Sequence, residues 1–449
     1  MTIRSEQPFI FKEYNFDHGT NTATFTYSYG NELTFTETLE FPAETVALDN
    51  NPEVFKRLLF CLHLILGISY WKAYCPKKIE VESGMLTREQ ADFWNTVYTK
   101  GLGEFFYKNE IDFRGLVQFP ATATVALDPH AASVDDTSLV PLGGGKDSLL
   151  TITLLKQLEK PFSTFALGSH EIIEQQAERI GEEHFIVKRT IDPKLLALNK
   201  QDAYNGHVPV SAIYAFTALA TAALTGNRYV IVSNEHSSNE GNVQYLGETI
   251  NHQWSKSYEF EQLLRGYVTT YITPDIEYFS LLRPLHEIQI AKLFSEYAAE
   301  WLPRFTSCNR NFRLEERAES LWCCQCPKCA FVFLMLAPFM PKQDLIKAFG
   351  NNPLDDESLI PVYEELLGVK DHKPFDCVGT PEEVRVAFSM LGDVENFDND
   401  AVMTHVRTLS SVSLDDVEDV RKAVFSVSDE HALPDEFLTT FDAIELSQQ

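Results

Sequence analysis

The sequence predicts an α/β protein: a parallel-sheet domain with an α+β unit before it and a helical region after it. From Thr137, short apolar runs with strand character alternate with helical patterns, the rhythm of a parallel sheet covered on both faces. Three consecutive glycines follow the first of these runs, where such sheets bind ligands beyond their strand ends.

Residues 1–130 form the α+β unit. In TATFTYSYGNELTFTETLEF, Phe25, Tyr27 and Tyr29 alternate with Thr and Ser, and Leu33, Phe35, Leu39 and Phe41 resume the alternation beyond Gly30-Asn31. That is a hairpin with a glycine-first turn. Helical patterns follow in PEVFKRLLFCLHLILGISYWKAY and TREQADFWNTVYTKGLGEFFYKN. The most apolar stretch, Leu58–Trp71, is too short to span a bilayer and carries His63, so a buried helix is expected. A connector runs to Asp136. The α/β domain, residues 137–340, has strands expected in SLVPLG, PFSTFALGS, EHFIVKRTI, NRYVIVSNE and YFSLLRP. Its helices are expected in DSLLTITLLKQLEK, HEIIEQQAERIG, VSAIYAFTALATAALTG and FEQLLRGYVTTYI. Residues 341–449 read as helical, with the acidic runs FDNDAVMT, SLDDVEDV and SDEHALPDEF as a solvated surface.

With 44% hydrophobic and 12% aromatic residues among 449, the chain is globular. A formal net charge of −28 argues against a nucleic-acid duplex as partner, since phosphate backbones are held by clustered Lys and Arg. A local basic pocket for a small anion remains compatible with it. The N-terminal MTIRSEQPFIFKEYNF has no apolar leader. The expected location is the cytoplasm, where the cysteines stay reduced.

The loop SLVPLGGGKDSLL places glycines between a strand and a helix, which presents backbone N–H groups and a positive helix end to an anion. It is not a Walker A loop, because Val140 stands at the first glycine position and Asp147 at the Ser/Thr position. Nor is it a Rossmann loop, because Ser148 stands where the third glycine is needed. Gly143-Gly144-Gly145-Lys146-Asp147-Ser148 resembles the PP-loop of the ATP pyrophosphatase superfamily, Ser-Gly-Gly-x-Asp-Ser, with Gly in place of the first Ser. The resemblance implies a parallel-sheet nucleotide fold that cleaves ATP between the α and β phosphates and adenylates a substrate oxygen. It implies that Asp147 holds Mg²⁺, that Lys146, Ser148 and the loop N–H groups grip pyrophosphate, and that Gly168 and Ser169 read adenine.

Cys308, Cys323, Cys326 and Cys329 can surround a tetrahedral ion, and zinc is expected in a reduced compartment, with Cys324 left over. Four protein ligands close such a site, so its role is structural. The arrangement is similar to the zinc site of the deazaguanine nitrile synthases, also PP-loop enzymes.

Polar runs flank the strand ends on the expected ligand side: NGHVPVSA, VSNEHSSNEGN, HQWSKSYEFE and RPLHE. They supply His207, Asn234, Glu235, His236, Asn239, Asn242, Lys256, Ser257 and Arg283, a set suited to a large polar ligand bearing phosphate or carboxylate. The order of an α+β region, PLGGGKDS, CPKC and HKPFDCVGT resembles the MurL family, the UDP-N-acetylmuramoyl-L-alanyl-L-glutamate epimerases. That resemblance implies ATP-consuming inversion of the terminal L-glutamate of a peptidoglycan precursor, with release of AMP and pyrophosphate. An acyl-adenylate removes the carboxylate charge and makes the carbonyl an electron sink, so a base can take the α-proton. Asn234, Asn239, Asn242, Lys256, Ser257 and Arg283 are expected substrate contacts, and Glu235, His236, His207 and Cys377 are the candidate bases. A PP-loop enzyme modifying tRNA or a nucleobase, and a non-catalytic nucleotide- and zinc-binding regulator, are the alternatives. Net acidity weighs against the first, and the presence of Asp147 and Ser148 against the second.

Overall fold

The computed structural model describes residues 6–43, 51–312, 320–370, 372–392, 394, 396–409, 412 and 417–438. Alternating aromatic and Thr residues build β1 (Phe9–Asp17), β2 (Thr22–Tyr29) and β3 (Leu33–Glu40), which pair antiparallel in chain order. Their inward members, among them Phe9, Phe11, Phe25, Tyr27, Tyr29 and Phe35, are fully buried. They face the helix Pro52–Trp71, as the apolar pattern requires. The Tyr27 and Tyr29 hydroxyls donate to the carbonyls of His63 and Trp71, at 3.0 and 2.9 Å. Buried phenols thus keep their hydrogen bonds. That helix is long and apolar enough to cross a membrane, but it is mostly buried in the core. The short β4 (Ile79–Val81) runs parallel to β1.

The predicted parallel sheet is formed by β5 (Asp135–Pro141), β6 (Phe162–Leu167), β7 (His184–Thr190), β8 (Asn227–Val232) and the later β11 (Glu277–Ser280). Both faces are covered. Leu139, Val230 and Tyr278 enter one core with the helices Pro52–Trp71 and Val210–Thr225. Their neighbours Val140, Ile231 and Phe279 enter a second core with Lys146–Gln157, Glu287–Tyr297 and Pro327–Leu336. Between β8 and β11 the chain adds a small hairpin, β9 (Val243–Tyr245) and β10 (Glu248–Ile250), absent from the sequence-based expectation.

The N-terminal strands extend the same sheet. Thr38 of β3 lies opposite Thr190 of β7 and Glu40 opposite Lys188, antiparallel. Among the described residues one nine-stranded sheet results, in the order β11-β8-β5-β6-β7-β3-β2-β1-β4. Chain order reverses at β5, whose neighbours are β6 and β8, so the glycine loop leaves the sheet at the switch point, where a crevice is expected.

Beyond residue 340 the regular structure of the described residues is helical, with Lys342–Phe349, Ile360–Leu366, Pro381–Gly392, Ala401–Val406 and Glu418–Val424 packed on the second core. In FDNDAVMT, Phe397, Val402 and Met403 are buried while Asp398 pairs with Arg407 at the surface. Part of SLDDVEDV lies outside the described residues.

Candidate functional site

The glycine loop is shaped by what crowds it. Gly144 has φ +83°, and a Cβ there would lie 3.1 Å from Cζ of Phe312. A Cβ on Gly145 would lie 2.9 Å from Ser307 Oγ. The Gly144 carbonyl accepts from Thr306 N and from Gln176 Nε2, both at 3.0 Å, which ties the loop to the segment leading into Cys308. Among the described residues nothing accepts from the N–H groups of Gly144 and Gly145. They sit at the start of the 12-residue helix Lys146–Gln157, where the helix dipole also favours an anion. The Ser148 hydroxyl donates to the Gly145 carbonyl at 3.2 Å, and Gly143 N donates to the same hydroxyl at 3.4 Å. Gly168 and Ser169 follow the adjacent β6; Gly168 adopts φ +89°, and exposed Ser169 donates to Glu174.

Beside the loop lies a cluster of buried charge. Lys146 is 1% exposed and bonds to both Asp147 and Glu287. Burial alone would depress its ammonium, but the two carboxylates raise it above the ordinary lysine range. Glu287, at the start of its helix, would be pushed up by burial, yet Lys146 and Lys328 hold it at about 2. Glu235, just beyond β8, is 2% exposed; burial raises its carboxyl, opposed by Lys256 and reinforced by Glu287 and Asp147. Lys373 is also buried, and its Nζ has no hydrogen-bond partner among the described residues. Burial depresses it, with Glu240 and Glu383 in partial compensation. Four lysines thus converge with three carboxylates in a chain whose formal charge is −28.

Cys377 borders the same cluster. Burial would raise its thiol, but Lys256 and a hydrogen bond with His252 bring it down to about 6, which favours the thiolate. His252 is raised to about 9: burial opposes the charge, and Cys377 and Glu104 favour it. Glu104 bonds to His252 and to Lys108. His207 stands behind this pair, its Nδ1 3.4 Å from Glu104, and burial pushes it down to about 3. The donor atoms of Glu104, His207 and His252 lie within 4.8 Å of one another, a spacing that could hold a cation. Glu104 is already engaged by Lys108 and His252, so the arrangement is better described as a hydrogen-bonded relay.

The other expected contacts serve mainly as supports. Arg283 is fully buried: Nε donates to Glu261 at 3.0 Å, and Nη1 to the Glu235 carbonyl at 2.6 Å and to Ser238 Oγ at 3.0 Å. Nη2 donates to the Lys256 carbonyl, so Arg283 braces the two loops that carry Glu235 and Lys256. Asn234 accepts from Ser280 Oγ through its carbonyl at 2.6 Å. Asn239 and Ser257 border a cavity of about 720 Å³ that no glycine-loop residue lines. Asn239 accepts from Tyr258 N at 2.8 Å, and Ser257 caps the helix that begins at Tyr258. His236 opens onto a different cavity, of about 480 Å³, beside His286. Asn242 donates to the Pro374 carbonyl at 2.9 Å and accepts from His252 N at 2.8 Å, joining the Cys377 and His252 loops.

The sulfur atoms of Cys308, Cys323, Cys326 and Cys329 all lie within 4.8 Å of one another, with Cys323–Cys329 at 3.7 Å and Cys326–Cys329 at 3.4 Å. Four thiolates about 2.3 Å from a tetrahedral zinc stand roughly 3.8 Å apart, so the set fits that ion. Cys324, at φ +51°, turns its sulfur away to the Phe349 carbonyl, 3.3 Å distant. The knuckle also delivers Lys328, whose Nζ reaches the Cys377 carbonyl and lies 3.7 Å from Glu287.

Comparison with known proteins gives this cluster a family. The sequence matches the MurL N-terminal domain over residues 1–281 and the MurL C-terminal domain over residues 304–420. The chain belongs to the MurL family. Three relatives carry the name UDP-N-acetyl-alpha-D-muramoyl-L-alanyl-L-glutamate epimerase. That of Xanthomonas oryzae pv. oryzae is 38% identical over 95% of each chain. That of Micromonospora sp. is 39% identical over 88% of this chain and 89% of its own. That of Salinispora tropica is 38% identical over 87% and 86%. Glu104, His252, Glu287, Lys328 and Lys373 are members of this MurL chain's cluster that sequence reasoning did not single out. All five lie inside runs it did quote: Glu104 in TREQADFWNTVYTKGLGEFFYKN, His252 in HQWSKSYEFE, Glu287 in RPLHE, Lys328 in CPKC and Lys373 in HKPFDCVGT.

Proposed function

We propose that this MurL protein is a cytoplasmic epimerase that inverts the terminal L-glutamate of UDP-N-acetylmuramoyl-L-alanyl-L-glutamate, consuming ATP through an acyl-adenylate. One observation carries the proposal: a cysteine, a buried carboxyl and four lysines stand near a glycine loop at the sheet's switch point, whose Gly144 and Gly145 N–H groups have no acceptor among the described residues. The names of the three relatives supply the substrate. In this reading the loop is a PP-loop, and its N–H groups receive ATP phosphates. Exposed Phe312 lies against Gly144, and Gly168 and Ser169 follow β6, the strand beside β5, where adenine would lie. Asp147, whose carboxylate pairs with Lys146 but stays partly exposed, would be the hard oxygen donor that holds Mg²⁺ and so neutralises phosphate charge, while buried Glu287 serves as the counterion of Lys146.

The lysines give the substrate carboxylate a cationic setting, and adenylation then makes the α-proton removable. Of the four candidate bases, Cys377 and Glu235 border the lysine cluster. His207 stands behind His252, and His236 faces another cavity. Incubation with the precursor and ATP should yield D-glutamate on acid hydrolysis, with AMP and pyrophosphate formed only when the precursor is present. ADP in place of AMP would exclude adenylation. AMP release triggered by tRNA and not by the precursor would replace this function with nucleic-acid modification.

A further inference from the structure

Cys377 is built into the site with more care than a proton acceptor alone requires. Hydrogen bonds from three other segments fasten its loop. Asn242 Nδ2 donates to the Lys373 and Pro374 carbonyls at 3.3 and 2.9 Å, Lys328 to the Cys377 carbonyl, and Gln253 Nε2 to the Val378 carbonyl at 3.0 Å. Asn242 Oδ1 also accepts from His252 N at 2.8 Å, so the imidazole and the thiol are held in register by the same side chain. Glu104, in the N-terminal part of the chain, orients His252 from behind. A sulfur nucleophile, an imidazole in hydrogen-bond reach and a carboxylate behind it form the arrangement that activates a nucleophile. Around the sulfur stand Lys256 and the buried Lys373, whose Nζ has no hydrogen-bond partner among the described residues, cations that could hold an anionic leaving group or an oxyanion.

We propose that Cys377 is a covalent nucleophile, oriented by His252 and Glu104, that carries the activated glutamyl group as a thioester while its α-carbon inverts. The inference rests on the adenylation reading above. Sγ attacks the acyl carbon of the adenylate, the new S–C bond forms, and the C–O bond to the AMP phosphate breaks, with AMP taking the electron pair. A thioester carbonyl stabilises the adjacent carbanion better than a carboxylate does. The α-proton can then leave to a base such as Glu235 and be replaced on the other face. Water releases the product, Sγ leaves as thiolate, and the sum is ATP and water converted to AMP and pyrophosphate. A weakly basic thiolate suits the roles of attacking and leaving group.

Acid-quenched full-length protein, mixed with ATP and the precursor, should carry the precursor acyl mass on the Cys377 peptide, removable by hydroxylamine. Cys377→Ser should fold with an unchanged melting profile and release about one equivalent of pyrophosphate per chain. It should then stall, with AMP release and inversion each lowered at least roughly 100-fold. His252→Gln should slow alkylation of Cys377 by iodoacetamide at pH 7 by roughly tenfold, a readout that a purely structural role would leave unmoved. A Cys377→Ser protein that keeps releasing AMP at the wild-type rate but returns L-glutamate would show Cys377 to be a base and overturn the thioester. A wild-type protein that gives no pyrophosphate with ATP and precursor would overturn the adenylation reading, and the thioester with it.

Discussion

Asp147→Asn should fold as the wild type does and lose AMP release by roughly 100- to 1000-fold, the usual cost of removing one charge-stabilising group from a transition state. The fold should survive because Lys146, 1% exposed, keeps Glu287 as its counterion, so no buried charge is orphaned. The turnover should not survive, because Asp147 is the half-buried carboxylate at the mouth of the glycine loop. The check is a steady-state assay of AMP beside a melting curve. Wild-type turnover in this variant would remove the PP-loop reading.

Cys326→Ser should lower the melting temperature by roughly 10 °C or more and release metal, since a structural zinc contributes several kcal/mol to the folded state. Elemental analysis of the wild-type protein should find about one zinc per chain, as a four-thiolate site requires. Activity should fall beyond what the loss of stability explains. The knuckle sets Lys328 against Glu287 and the Cys377 carbonyl, and the segment entering Cys308 holds the Gly144 carbonyl. By contrast, Cys324→Ser should change stability by only about 1 kcal/mol, because that sulfur faces the Phe349 carbonyl and not the other thiols. Metal-free protein of full stability would return the four cysteines to an ordinary core role.

Local pattern explains what sequence made visible. Strands β5, β6, β7, β8 and β11 were legible because each carries a short apolar run between helical patterns, and in β6, β8 and β11 burial of nearly every residue leaves little polar alternation to confuse the reading. The cysteine knuckle was legible because its ligands lie close together along the chain. The seam between β3 and β7 was not: it consists of backbone pairing between segments about 150 residues apart, and nothing in either segment encodes the partner.

The same limit applies to the site. Glu104, His252 and Cys377 come from three distant segments, and Glu104 in its own helix looks like an exposed acid paired with Lys108 four residues on. Arg283 follows a strand on the ligand side, where an arginine invites a substrate carboxylate. Its environment is set by Glu261, on a preceding helix, and by the carbonyls of Glu235 and Lys256, so its donors are engaged within the protein.

The most direct test of the account is turnover in D₂O with ATP and the precursor, followed by mass and chirality analysis of the released glutamate. The account predicts one deuterium at the α-carbon of the D-glutamate product, with AMP formed only when ATP and precursor are both present. Inversion without ATP, or AMP formed with D-glutamate that carries no deuterium, would contradict it.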